Sequence, residues 1–255
     1  MLTNRRIFTV AALAAATALT ACGGGGGSTD ASRGNFERAD DRAKGVATAP
    51  VTLVEYASVA CAHCRDFHEN VYPMLNDEFV ETGQVRFVFR EMITGSAPLA
   101  VAGFMLARCA PDDRYFDMIE LLFDQQVSIF QSAQRPGGAR EEFRSIARAI
   151  GMNDTEFNAC LANENLSQDV RDAHQQAIDD GIDATPRFII NGELLESRRG
   201  DGGLIYTWDG EPIMIDGEPL PALVDEDTFR QLMTYFVAQN TQSAASDGET
   251  APDEG

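Results

Sequence analysis

The apolar positions run first with a strand's period, then with a helix's, then alternate as strands again, and close on a helix. PVTLVEYAS, residues 50–58, is a short β-rich run behind a proline and predicts a strand. From Cys61 to about Thr82 the period lengthens. Phe67, Val71, Leu75 and Phe79 recur every fourth residue, which predicts a helix that Pro73 should kink. VRFVFREM, 85–92, predicts a second strand. A strand, a helix and a strand at this length form a β–α–β unit with parallel strands.

From Pro98 to Asp180 nearly everything reads as helix. Leu99, Ala102, Gly103 and Leu106 share one face, with Cys109 close to it. Phe143, Ile146, Ala147 and Ile150 make another stripe. Asn153 and Glu156 have capping-box spacing before a face of Phe157, Cys160 and Leu161. Strand signals return with PRFIING, 186–192, where Asn-Gly marks a turn. LIYTWDGEPIMI predicts a hairpin turning at Asp209-Gly210, with Pro212 confining one arm to an edge. A last helix starts near Asp225 and faces Phe229, Leu232, Met233 and Phe236 inward.

The 255 residues are 44% hydrophobic, enough for a real core. Acidic residues outnumber basic ones 40 to 20, a formal charge of −20. Such a surface repels phosphates, so nucleic-acid binding is not expected.

The first residues, MLTNRRIFTVAALAAATALTAC, have Arg5 and Arg6 before a charge-free run from Ile7 to Ala21. That run is short for a membrane span and reads as a bacterial export signal. LTAC resembles a lipobox, in which Cys22 is lipidated, and the glycine run after it makes a flexible tether. Arg5-Arg6-Ile7-Phe8 also echoes a twin-arginine signal. Export implies an oxidising compartment, where disulfides persist. With Cys22 lipidated, four of the five cysteines remain. If Cys61 and Cys64 pair, Cys109 and Cys160 are left for a second bridge, and both lie on or near apolar helical faces. The plain alternative for those two is a pair of reduced core cysteines.

EYASVACAHCRDFHE, residues 55–69, carries the chemistry. Three readings are open: a metal site, an inert staple and a redox pair. Cys64 and His68 share a helical face, so Cys61, Cys64 and His68 form the candidate ligand set of a metal-binding chaperone. A staple closing a two-residue loop adds little stability. For redox work the placement is apt. Cys61 sits where a helix begins, so unpaired N–H groups and the helix dipole favour its thiolate. A protonated His63 beside it adds positive charge. Stabilising the thiolate makes the disulfide a stronger oxidant. Cys64, one turn further in, is less accessible. Glu55 shares a strand face with Val51 and Leu53. It either lies buried beneath the pair, placed to shuttle a proton for Cys64, or reaches solvent past the sheet edge.

EYASVACAHCRDFHE, followed by GIDATPRFIINGE, resembles the DsbA family of bacterial thiol-disulfide oxidoreductases over about Ala49 to Glu193. The resemblance implies an α/β, thioredoxin-like fold with an inserted all-helical subdomain. It gives Cys61 and Cys64 as the redox pair, His63 as the residue between them, and Glu55 as the buried acid. It gives Thr185-Pro186 as a cis-proline loop that packs on the pair and receives extended substrate. The activity it implies is donation of disulfides to reduced exported proteins, with a membrane quinone-linked partner restoring the oxidised pair. No cofactor is expected, because the cysteines carry the electrons. A monomer is expected, and a reductase or isomerase of the same fold is the neighbouring reading. Two positions depart from the family: Ala62 stands where its best-known oxidases have proline, and the 194–224 segment is long, most simply as surface decoration. The expected division is a signal peptide over 1–21 and a lipid anchor and tether over 22–47. Thioredoxin-like halves then cover 48–94 and 182–242, around a helical insertion over 95–181. A disordered acidic tail covers 243–255. The site of action is the periplasmic side of a bacterial membrane.

Overall fold

The structure, a computed structural model, describes residues 36–247. The expected signal peptide, Cys22 and most of the expected tether lie outside the described residues. Strand β1 (Arg42–Lys44) comes first, then β2 (Val51–Ala57). Helix α1 (Ala62–Asn70) follows and breaks at Val71 into a short α2 (Tyr72–Leu75) and a π-helical turn over Asn76–Val80. Pro73 sits in the first turn of α2, where its missing N–H costs nothing. The expected kink is thus a break two residues upstream of the proline. Strand β3 (Val85–Glu91) then lies parallel to β2, completing the predicted β–α–β unit.

The helical block holds α3 (Ala97–Cys109), α4 (Tyr115–Asp124), α5 (Gln126–Ala133), α6 (Arg140–Ala149), α7 (Asp154–Leu161) and α8 (Glu164–Asp179). The capping box at Asn153 and Glu156 is formed in both directions. In α3 the buried face differs from the one the spacing suggested. Ala100, Phe104 and Ala107 are buried with Gly103 and Leu106, while Leu99 and Ala102 are only partly covered. The helix is apolar almost all round, so its sequence alone selects no face.

Strand β4 (Arg187–Ile190) pairs antiparallel with β2, and β5 (Glu193–Leu194) pairs with β4. Asn191 and Gly192 both have positive φ, as the predicted tight turn requires. The sheet order is β1-β3-β2-β4-β5. Its central strand β2 is buried along its whole length. One face packs Leu53, Phe87 and Phe89 into the main core, and the other packs Val54, Tyr56 and Val88 against Ala177 and Ile182.

The 194–224 segment is not surface decoration. It folds into β6 (Glu196–Gly200), β7 (Gly203–Trp208) and β8 (Glu211–Pro212), then a hairpin of β9 (Met214–Ile215) and β10 (Glu218–Pro219). Asp209-Gly210 makes the predicted turn, and Pro212 lies on the edge strand. Leu195, Tyr206, Ile213 and Leu220 are buried in the main core, and the Trp208 indole donates to the Ile190 carbonyl at 2.9 Å. Helix α9 (Glu226–Asp247) closes the chain, with Phe229, Leu232, Met233 and Phe236 buried. It continues through 243–247, which were expected to belong to the acidic tail.

The end of the expected tether is also part of the fold. Strand β1 pairs with the β3 edge. Glu37 is ion-paired with Arg86, Arg90 with Asp41 at 2.8 Å, and Arg38 with Asp180 at 2.7 Å. The composition of this stretch reads as linker because its ties are ionic rather than apolar. No helix among the described residues is long and apolar enough to cross a membrane.

Candidate active site

Cys61 is the N-cap of α1, with extended backbone and no side-chain cap of its own. Its sulfur is half-buried, whereas Cys64, one turn along, is fully buried. Both are free thiols. The Cys61 thiol donates to the Thr185 carbonyl at 3.4 Å, and the Thr185-Pro186 peptide bond is cis. The helix N-terminus and the proline loop therefore meet at Cys61, although 124 residues separate Cys61 from Thr185.

The two sulfurs are held in opposite ionisation regimes. The Cys61 pKa is lowered to about 5. A hydrogen bond from the Cys64 thiol is the main cause. Burial opposes it, and the Thr185 side chain and the backbone N–H groups of Cys64 and His63 add to it. Cys64 moves far the other way. Burial is the main cause, followed by its hydrogen bond to Cys61 and the negative charges of Glu55 and Cys61. The Ser58 N–H, 3.5 Å from its sulfur, offsets part of this.

His63 is exposed, and its backbone N–H is among the groups that lower the Cys61 pKa. Glu55 takes the buried alternative: it is fully enclosed, and its Oε2 lies 2.9 Å from Nε2 of His68. His68, the third member of the metal reading, is turned toward Glu55 and stacks on Phe123 at 4.2 Å. Among the described residues no three His, Cys, Asp or Glu side chains converge as a metal site. Cys109 and Cys160 are joined by a disulfide that ties α3 to α7.

Three positions in the site went unread in the sequence. Gln126 is buried, and its Nε2 donates to the carbonyls of Val59 at 2.9 Å and Cys61 at 3.0 Å, clamping the cysteine loop to α5. Ser58 Oγ accepts from the Ala60 and Thr94 N–H groups and donates to the Thr94 carbonyl at 3.0 Å. The Thr94 hydroxyl lies 2.6 Å from that of Thr185, so it braces the proline loop. A lone glutamine at a helix start, or a serine or threonine in a loop, carries no spacing signal. Only its long-range partner reveals it.

A parallel β–α–β unit whose helix opens on a cysteine pair, a cis proline facing that pair, and a helical block between the two halves of one sheet define the class: a thioredoxin fold with a helical insertion. The sequence family described as Thioredoxin matches residues 37–203, and the chain belongs to that family. Its fold is that of the DsbA structures. Wolbachia pipientis alpha-DsbA1 superposes with a TM-score of 0.63 at 21% identity, covering 82% of this chain and 96% of that one. Oxidised BdbD from Bacillus subtilis gives 0.57 at 18% identity, covering 78% and 93%. In sequence, Disulfide bond formation protein D of Bacillus subtilis is 25% identical over 157 residues, covering 58% of this chain and 67% of that protein. A Rickettsia typhi protein, provisionally named a protein-disulfide oxidoreductase, is 26% identical over 159 residues. That match covers 62% of this chain and only 57% of the relative, little more than half of its length.

Proposed function

We propose that this protein is an exported thiol-disulfide oxidoreductase that donates the Cys61–Cys64 disulfide to reduced proteins. The observation that carries the reading is the opposed ionisation of two adjacent sulfurs, Cys61 held low and Cys64 held high, at a helix start facing a cis-proline loop. A substrate thiolate attacks Cys61 Sγ. The Cys61–Cys64 bond breaks, and Cys64 leaves and takes up a proton. A second substrate thiolate then attacks the substrate sulfur of the mixed disulfide, and Cys61 leaves as a stable thiolate. The substrate has lost two electrons and the pair has gained them. Extended substrate chain lies along the Thr185-Pro186 loop, and a membrane quinone-linked partner reoxidises the pair. Glu55 handles the Cys64 proton. The names of the Bacillus and Rickettsia relatives support this reading.

Lipidated Cys22 holds the monomer on the periplasmic side of a bacterial membrane. Metabolic labelling with a fatty acid, lost in Cys22→Ala, tests the anchor. The activity is tested by mixing the oxidised protein with a reduced, unfolded protein under anaerobic conditions. Disulfide transfer one-for-one is expected. Cys61→Ser abolishes it, and Cys64→Ser blocks it by preventing the donor disulfide from forming. Absence of transfer from the intact protein contradicts the proposal.

A further inference from the structure

Cys64 has no ready source for the proton it needs when it leaves, because its sulfur is sealed from water. Glu55 is sealed as well, so a carboxyl proton spent on Cys64 cannot be replaced from solvent directly. His68 bridges the gap in position. It lies one helical turn beyond Cys64 on α1, with its Nε2 on Glu55 Oε2, and its ring lines a surface cavity of about 410 Å³. Two buried atoms along this line lack a partner besides Glu55 Oε1: His68 Nδ1 and the Tyr72 hydroxyl, whose residue lines the same cavity. His68 Nδ1 is buried and unpartnered in a residue that lines the cavity, and Nε2 is engaged on the carboxylate, so the ring has one uncommitted and one engaged nitrogen, as a two-ended relay requires. The charged groups around the cavity are Lys44 from β1, Glu69 from α1, Asp77 from the π-helical turn, and Glu120 and Asp124 from α4. Lys44 is paired with Glu120 at 3.6 Å and Arg65 with Glu69 at 3.5 Å, which leaves Asp77 and Asp124 to favour protons at its mouth.

We infer that His68 relays protons between this cavity and Glu55, and through Glu55 to Cys64, in the disulfide exchange proposed above. When a thiolate attacks Cys61, the electron pair of the broken S–S bond goes to Cys64. The Glu55 carboxyl supplies the proton, the Nε2–H of His68 replaces it on Glu55, and Nδ1 collects another from the cavity. Reoxidation runs the same path outward. His68 acts through Glu55 and is a positioning and relay residue.

The test is single-turnover reduction of the oxidised full chain by dithiothreitol, quenched with acid and alkylated, in the wild type and in His68→Gln. Glutamine keeps a donor for Glu55 and cannot pass a proton on. The expected result is a rate lowered on the order of tenfold or more at neutral pH, with the Cys61 titration midpoint still near 5. A wild-type rate in His68→Gln overturns the relay, and so does slowing matched by an equal shift of that midpoint. The wild type supplies a measure independent of any variant's folding. Its reduction is slower in D2O at matched thiolate fraction, and equal rates overturn the inference. A protein that reacts with dithiothreitol yet oxidises no protein substrate contradicts the function while leaving the relay measurable, so the two failures are separable.

Discussion

At the scale of single residues, the proposed chemistry rests on Cys61 and Cys64 ionising far apart. The Cys61 pKa falls from 9.0 to about 5, which fixes the sign of a pH effect. A depressed folded-state pKa stabilises the reduced fold above the ordinary thiol range, and this is lost as pH falls from about 9 towards 5. The raised Cys64 thiol stays protonated throughout that window, so its shift bears only above the ordinary thiol range. Denaturant titration of the reduced form should therefore show stability, relative to the oxidised form, declining on acidification across this window. The redox potential should change by about 30 mV per pH unit above pH 5, where one proton accompanies two electrons, and by about 60 mV per unit below it. A slope of 60 mV at neutral pH contradicts the assignment of Cys61 as thiolate. The sequence showed the cysteine pair and the acid at Glu55. It did not show what Glu55 touches. His68 looked like a ligand because i, i+4 spacing reports a shared helix face, while its true partner came from β2 underneath.

At the scale of elements, the site is a meeting of loops, and two contacts set its geometry. Gln126 holds the Val59 and Cys61 carbonyls from α5. Replacing it with Leu removes a buried donor shared by two acceptors and should cost about 1–3 kcal/mol in chemical denaturation. Gly95 has φ +71, and a Cβ there would meet the Ala60 carbonyl oxygen at 2.2 Å. Gly95→Ala adds left-handed strain to a backbone clash, so destabilisation of at least about 2 kcal/mol is expected. The strands and helices themselves were legible, because their periods of 2 and 3.6 are written in apolar positions such as Phe67 and Leu75 or Phe229 and Phe236. The face of α3 was not, since nearly every position on it is apolar. β1 was missed because Arg42, Ala43 and Lys44 carry no strand pattern, and only the β3 edge makes them one.

At the scale of the whole molecule, the helical block is tied to itself by the Cys109–Cys160 disulfide, which spans 51 residues. A loop of that length corresponds to about 4 kcal/mol of chain entropy. Cys109→Ala with Cys160→Ala should lower stability by about 2–4 kcal/mol in denaturant while leaving the Cys61 titration in place. The ionic strap of Glu37, Arg38 and Asp41 fastens the segment before β2 to β3 and to the end of α8, and the 194–224 extension packs Tyr206 and Trp208 against Phe229 and Phe236 of α9. Composition hid the strap as linker; in the extension the hairpin at Asp209-Gly210 was legible, and its place in the core was not.

In the function we propose, stabilising the Cys61 thiolate makes this pair an oxidant. The direct measurement is its equilibrium with glutathione at pH 7, read by alkylation of Cys61 and Cys64. The expected potential is more oxidising than about −180 mV, and a value near the roughly −270 mV typical of thioredoxin contradicts an oxidase.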